Sequence, residues 1–217
     1  MTRVPALLRL AAVACVAAGL SGCITLLPKT KPAHLYRFGE PAPAEAAAAP
    51  AGKVGVFRTS GVFQRESAGD RVLTVTGSQV AYIAQTRWAA PATVLWDEAV
   101  VAAFDADPGP VRLVSRGEPA SAAYILRLDV RNFEARYDKG PRAAPTVLVR
   151  VRAAMIRGSD KQVAEKIFEA AVPASGNRVG AIVPAYDKAV AQVLKAIVAW
   201  TSQQVATAGP SAAPTAG

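Results

Sequence analysis

The strongest constraint on the fold is a long alternation of apolar and polar residues in the second half of the sequence. Across Tyr124–Tyr137 every second residue is apolar until the alternation shifts by one position near Arg131–Asn132, and Thr146–Ile156 alternates in the same way. A period of two is typical of strands with one buried face, and one extra residue restores the faces after the shift. The pattern predicts two long strands, antiparallel because their connection is short, and a β-bulge near Arg131–Asn132.

Two amphipathic helices and several shorter strands complete the predicted domain. Apolar stripes with a helical period begin after Pro91, where the first turn of a helix tolerates proline, and again over Ile182–Val205. Each stripe gives its helix one apolar face that suits packing against a sheet. We therefore predict an α+β fold, with a mostly antiparallel sheet and two amphipathic helices packed on one face. The remaining predicted strands are His34–Phe38, Lys53–Arg58, Arg71–Thr76, Gln79–Thr86, Val111–Ser115 and Lys166–Ala174.

The N-terminus has the composition of an export signal. Arg3 and Arg9 precede an uninterrupted apolar run, Leu10–Leu20, and small residues follow it. A membrane-spanning helix needs about 20 apolar residues, so this run is too short for one, whereas a secretory signal peptide has this organisation. We predict that residues 1–22 are removed, which lowers the formal charge from +9 to +7. In an exported protein this charge favours anionic lipid headgroups or an acidic partner over nucleic acid, or serves only solubility.

The residues at the predicted cleavage site resemble the lipobox of bacterial lipoproteins. Leu20-Ser21-Gly22-Cys23 places a thiol at the first mature position, directly after two small residues. The resemblance implies that Cys23 carries acyl chains such as palmitate, and three chains make membrane attachment effectively permanent. In Gram-negative lipoproteins an aspartate after the cysteine is an inner-membrane retention signal. Because Ile24 stands there, the resemblance favours the outer membrane, with the protein facing the periplasm.

The mature chain is expected to divide into a tether, one domain and a tail. Residues 23–32 form the lipidated tether, which reaches at most about 33 Å at roughly 3.3 Å per residue, so the domain stays near its membrane. Residues 33–207 form a single domain, with an Ala/Pro-rich loop at 39–52. Residues 208–217 are also rich in Ala and Pro, and they form a disordered tail.

The composition argues against an enzyme or a metal site. The mature sequence has one histidine, His34, and one cysteine, and it contains none of the nucleophile-elbow, metalloprotease, P-loop or dinucleotide-binding motifs. Asp97 and Glu98 are adjacent, but consecutive residues of a helix point about 100° apart, which favours a solvated face over a carboxylate pair. A hydrolase with an unorthodox site has no candidate residues. We therefore predict a non-catalytic protein without cofactor or metal that does not itself hydrolyse ATP.

Gln79–Phe104 contains the pattern Y-x-x-x-x-R-W-x-x-P, with Tyr82, Arg87, Trp88 and Pro91 at its fixed positions. This segment resembles the corresponding block of the ABC-type transport auxiliary lipoprotein family. The resemblance implies a lipoprotein that accompanies an MCE-type ABC lipid transporter, and hence as partners an MCE-type substrate-binding protein with its permease and ATPase. Further similar segments follow in the family's order: Ala123–Tyr137, Val147–Ile156, Phe168–Pro173 and Ala185–Trp200.

Among the motif residues, Arg87, Trp88 and Tyr82 are the candidates for partner binding. Each also has a structural interpretation, with Tyr82 as a strand residue and Trp88 as a core or rim aromatic. The main alternative for the whole protein is a stand-alone envelope scaffold lipoprotein that has no transporter partner. Exposed strand edges would in addition allow homo-oligomers to form.

Overall fold

An eight-stranded sheet and two α-helices make up the part of the chain that the structure, a computed structural model, describes: residues 32–39, 53–114, 122–158 and 161–207. The described residues from Ala33 onward belong to one unit. A short 3₁₀ turn covers Arg65–Ser67. In chain order the elements are β1 His34–Tyr36, β2 Val54–Thr59, β3 Arg71–Thr76, β4 Gln79–Trp88, α1 Ala92–Asp105, β5 Val111–Val114, β6 Tyr124–Arg136, β7 Thr146–Arg157, β8 Val163–Pro173 and α2 Val179–Thr207.

The sheet is mixed. β6, β7 and β8 form an antiparallel meander, and β3 and β4 form an antiparallel hairpin. β1 pairs in parallel with β4, β2 with both β5 and β6, and β3 with β6. The predicted α+β class is therefore confirmed, and the long strands are antiparallel as expected, but the sheet is not antiparallel throughout. Strands that are distant in sequence can pair in either direction, and hydrophobic alternation is the same for both.

The bulge predicted in β6 is confirmed. Val130 pairs with Val151 and Asn132 pairs with Arg150, so Arg131 is the extra residue of the strand. Because a shift of one residue turns every later side chain to the opposite face, the bulge keeps Phe133 on the same buried face as Val130.

The hydrophobic core lies between one face of the sheet and the two helices. Its largest members are aromatic, and their rings pack edge to face or tilted, which are the favoured geometries for such pairs. The ring centroid of Phe38 lies 5.0 Å from those of Trp88 and Phe133, and Trp88 lies 5.2 Å from Tyr186. The hydroxyl of Tyr186 donates to the carbonyl oxygen of Leu73 at 3.1 Å, so α2 is bonded to β3 through the core.

Helix α2 begins at Val179, three residues before the predicted start at Ile182. The N–H groups of Ala181 and Ile182 both donate to the carbonyl oxygen of Arg178, at 2.9 and 3.0 Å. The apolar stripe that predicts the helix begins at Ile182, whereas the helical hydrogen bonds begin earlier. Pro184 lies near this end of the helix, where it removes one backbone donor without ending the helix.

The segment between β2 and β3 crosses the edge of β6 in the gap that these two strands leave. The N–H of Gln64 donates to the carbonyl oxygen of Val130 at 2.8 Å, and its side-chain Oε1 accepts from the N–H of Phe133 at 2.7 Å. Gly61 permits the crossing, because a Cβ there would lie 1.7 Å from the carbonyl oxygen of Leu128. Side-chain and backbone bonds thus replace strand pairing at the centre of β6.

Candidate partner-binding site

Arg87 lies at the irregular end of β4. Leu73 of β3 pairs with Tyr82, and Arg71 pairs with Arg87, so two steps along β3 span five steps along β4. Gln85, inside this bulge, has a φ of 54°, a left-handed conformation that is uncommon outside glycine. Beyond the bulge, Arg87 pairs with Arg71 of β3 on one side and with Leu35 of β1 on the other.

The side chain of Arg87 forms an exposed ion pair. Its Nη1 lies 2.6 Å from Oδ2 of Asp70, and the two side chains are 48% and 42% exposed. The position of Asp70 is fixed by its backbone, because its carbonyl oxygen accepts from the N–H of Trp88 at 2.6 Å. Exposed ion pairs of this kind contribute about 0–1 kcal/mol to stability, so the guanidinium is free to exchange Asp70 for another carboxylate at little cost.

Tyr82 forms the second part of the same surface. Its hydroxyl donates to the carbonyl oxygen of Glu66 at 2.9 Å, and the guanidinium carbon of Arg71 lies 3.8 Å from the centre of its ring. A cation over an aromatic face is attracted to it, so Arg71 and Tyr82 hold each other in place. We call Asp70, Arg71, Tyr82 and Arg87 together the Arg87 surface.

Trp88 is buried rather than part of this surface. It is 2% exposed, and its ring packs against Phe38, Phe133 and Tyr186. The folded domain offers a partner no contact with the indole, so an influence of Trp88 on binding would act through the position of its neighbour Arg87.

Pro91 directly precedes α1 rather than occupying its first turn. The first N–H groups of the helix, those of Ala92 and Thr93, donate to the carbonyl oxygens of Gly69 and Ala68 at 2.9 and 3.4 Å. These bonds satisfy donors that have no partner inside the helix. They also join α1 to the turn that carries Asp70, so the motif block from Tyr82 to Pro91 and this turn form one structural unit.

The predicted acylation site lies outside the described residues. This holds for Cys23, for the tether up to residue 31, for residues 40–52 and for the tail at 208–217, and these assignments stay predictions. In the described part of the chain, neither helix is long and apolar enough to cross a membrane.

The described residues contain no group of three or more His, Cys, Asp or Glu side chains that would hold a metal ion. Asp97 and Glu98 pair with different arginines: Oδ1 of Asp97 lies 2.7 Å from Arg58, and Oε2 of Glu98 lies 3.4 Å from Arg37. The two carboxylates are exposed and do not act on a common atom.

Two acids of β6 are buried although the alternation places them on the solvent side of the sheet. Asp129 and Glu134 do lie on the face away from the helices, but both are buried there. Glu134 Oε2 accepts from Nε2 of Gln64 at 2.8 Å. For Asp129, Oδ1 accepts from the N–H of Val62 at 2.9 Å and from Nε of Arg127 at 3.0 Å.

The carboxylate of Asp129 has two further cationic neighbours. Its Oδ2 lies 3.5 Å from both Arg131 and Arg152. A sequence signal for this cluster exists, since Arg127 and Arg131 flank Asp129 on the same strand. The burial of Asp129 has no signal in the sequence, because it depends on residues 60–64 crossing β6.

We expect Asp129→Asn to lower the free energy of unfolding by about 1–3 kcal/mol at neutral pH, because hydrogen bonds to a charged group are lost. Burial alone would raise the pKa of Asp129, but the Val62 N–H, Arg127 and Arg131 together hold it below its ordinary value of 3.8. A lowered pKa contributes stability above the unfolded value, and that stability is lost as the pH falls through the folded value. Urea unfolding of the wild type and the variant from neutral to acidic pH should therefore show a difference in the free energy of unfolding that shrinks below about pH 4.

The exposed Glu165, paired with Arg152, provides the control for this prediction. Glu165→Gln should lower the free energy of unfolding by less than about 1 kcal/mol.

Comparison with known proteins identifies the family. Residues 64–198 match the model of the family described as ABC-type transport auxiliary lipoprotein component. This span is more than half of the chain and includes the Arg87 surface, so the chain belongs to this family, as the ordered motifs indicated.

Two solved structures are similar over most of the domain. A protein from Xanthomonas campestris, carrying the family designation DUF330, is 25% identical with a TM-score of 0.64, over 81% of this chain and 97% of that one. An uncharacterized protein is 15% identical with a TM-score of 0.58, over 81% of this chain and 99% of that one, and it supports the fold alone. No curated protein matches the sequence.

Proposed function

We propose that this chain is the lipid-anchored, non-catalytic auxiliary component of an MCE-type ABC transport system that moves lipid between the two bacterial membranes. The observation that carries the proposal is the family match over residues 64–198, because the family is one of auxiliary lipoproteins of ABC-type transport. The finer assignment to an MCE-type system follows from the resemblance of the ordered motifs. Ile24, directly after the acylated Cys23, favours the outer membrane and a domain facing the periplasm.

A bracing role is physically reasonable for such a domain. A lipid that crosses an aqueous space has to be shielded from water, because exposing its apolar surface is costly, and the shield has to stay near the target bilayer. A domain held within about 33 Å of a membrane by its tether meets the second requirement without any chemistry of its own.

The Arg87 surface is the part of the domain that we assign to partner binding. Arg87 is about half exposed, and its ion pair with Asp70 is worth little in water. An acidic group of the MCE-type protein is able to replace Asp70, and the planar guanidinium binds a carboxylate through two parallel hydrogen bonds. Tyr82 and Arg71 keep the neighbouring surface fixed, which lowers the entropic cost of docking.

We expect Arg87→Ala to weaken association with the MCE-type partner about tenfold or more, as is common for arginines at the centre of an interface. The measurement is a pull-down with the purified partner, supported by a binding titration. Arg37→Ala is the control, because Arg37 is equally exposed and also pairs with an exposed acid, Glu98, at 3.4 Å. Equal retention of the partner by wild type and Arg87→Ala would contradict the assignment.

The transporter itself is tested by crosslinking in intact membranes followed by mass spectrometry of the co-purified proteins. We expect an MCE-type protein and an ABC permease to be recovered with the chain. Recovery of envelope proteins alone, with no transporter component, would instead favour the stand-alone scaffold.

A further inference from the structure

The face of β6, β7 and β8 that points away from the helices carries exposed positive charge, whereas part of its negative charge is buried. Its basic side chains are all arginines, and they are partly exposed, whereas two of its four acids are buried. The arginines are Arg127, Arg131, Arg136, Arg150 and Arg152; the acids are the buried Asp129 and Glu134 and the exposed Glu165 and Glu169.

The centre of this face has too few acids to neutralise its cations. Arg127, Arg131 and Arg152 all lie within 3.5 Å of the one carboxylate of Asp129, and their side chains are 47%, 52% and 37% exposed. Of the three, Arg152 has a second acidic partner, Glu165. Among the described acids, Arg127 and Arg131 contact Asp129 alone, which leaves a net positive charge directed at solvent.

An apolar row lies beside these arginines. By strand register, Ile125 of β6 is opposite Ile156 of β7, which is opposite Val163 of β8. Ile167 follows on the same face of β8, where it is opposite Arg152 and is 63% exposed. Arginines and solvent-exposed aliphatic side chains thus share one face of the sheet, which we call the Arg127 face.

We propose that the Arg127 face docks on a bilayer surface that contains anionic phospholipid, with Arg127 and Arg131 on lipid phosphates and the aliphatic row in contact with the interface. Guanidinium groups bind phosphate oxygens through two hydrogen bonds at once and are more weakly hydrated than ammonium groups. Interfacial binding of a protein grows with the apolar area that it buries and with its attraction to anionic lipid. The Arg127 face supplies both.

The combination of charge and aliphatic surface favours lipid over an acidic protein segment. An acidic segment would satisfy the arginines but would leave Ile125, Val163 and Ile167 in water. A bilayer interface accepts both kinds of group, since the phosphates lie directly above the first methylenes. Docking would also orient the domain, because the Arg127 face itself would lie against the bilayer.

Vesicle binding tests the proposal with the mature chain from Ile24 onward, which carries no acyl group. We expect it to float with vesicles of phosphatidylcholine that contain about a third phosphatidylglycerol, to bind pure phosphatidylcholine far less, and to dissociate at high salt. Arg127→Gln with Arg131→Gln should weaken binding about tenfold or more. Lys188→Gln with Lys195→Gln is the control: it removes the same charge from the exposed side of α2 and should change binding much less.

A second pair of variants tests the aliphatic row. Ile125→Ser with Ile167→Ser should weaken vesicle binding while leaving its salt dependence intact, and unfolding midpoints verify that every variant is folded. If the double arginine variant fails to fold, Arg131→Gln alone replaces it. This variant keeps the hydrogen bond from Arg127 to the buried Asp129 and loses only the longer contact of Arg131, at 3.5 Å.

Equal binding to vesicles with and without phosphatidylglycerol would overturn the proposal. Equal losses of vesicle binding in the double arginine variant and the double lysine variant would also overturn it. A third contradicting result would be tight binding of poly-glutamate together with undiminished vesicle binding by the Ile125→Ser, Ile167→Ser variant. That result would assign the face to an acidic protein. No transporter component is present, so these outcomes are independent of the proposed function.

Discussion

Replacing Cys23 by alanine is expected to abolish acylation of the protein and its stable attachment to the membrane. In the proposed modification the thioether to the lipid forms on the sulfur of Cys23. The methyl group of alanine cannot replace that sulfur, and the one other cysteine, Cys15, lies in the segment predicted to be removed. Each acyl chain contributes about 0.8 kcal/mol per buried methylene, so a variant that carries no acyl chain loses this whole contribution to membrane attachment. Incorporation of labelled palmitate and the mass of the mature protein measure it.

The second cysteine provides a matched control. Cys15→Ala makes the same substitution, within the apolar run of the predicted signal segment. It should leave both the palmitate label and the mass of the mature protein unchanged. Label retained in Cys23→Ala, or lost in Cys15→Ala, would show that the leader is cleaved elsewhere or that the sulfur is unmodified, and the proposed tether would then be wrong.

Trp88→Ala is expected to lower the free energy of unfolding by about 3–5 kcal/mol, the range for removing a buried tryptophan. Trp88 is 2% exposed and packs on three other rings, which belong to the segment after β1, to β6 and to α2. The cavity left by alanine would be lined by groups that are held apart by the sheet and the helix, so it cannot close fully. Urea unfolding measures the change, and Val80→Ala, at an exposed position of β4, should cost little.

A loss below about 1 kcal/mol for Trp88→Ala would mean that the aromatic cluster does not hold the domain together. The comparison with Arg87→Ala is informative because the two residues are adjacent. Arg87→Ala should weaken partner binding with little effect on stability, since its ion pair is exposed. Trp88→Ala should lower stability strongly, and it should have little effect on partner binding under conditions in which the variant is folded.

The strands and helices that carry a repeating pattern were predictable, and the reason is local. The bulge at Arg131 follows from counting apolar residues along β6, and the stripe of α2 follows from its period, because neighbouring residues alone set these patterns. Helix α2 begins three residues before the predicted start, because the hydrogen bonds to the carbonyl of Arg178 leave no period in the sequence.

The candidate site was predictable only in part. The motif from Tyr82 to Pro91 indicates the segment that we propose for partner binding, but whether a side chain in it is exposed or buried depends on the other strands. Trp88 meets Phe133 and Tyr186, which are distant in sequence, whereas the adjacent Arg87 turns to Asp70 at the surface.

The sequence by itself determined the α+β class, the faces of the long strands and helices, and the family to which the chain belongs, because each depends on the order and spacing of residues along the chain. The tertiary structure alone decided the parallel pairing of β1, β2 and β3, and the burial of Asp129 beneath residues 60–64. These features arise where segments far apart in sequence meet. Hydrogen bonds and excluded volume between such segments leave no period in the sequence of either one.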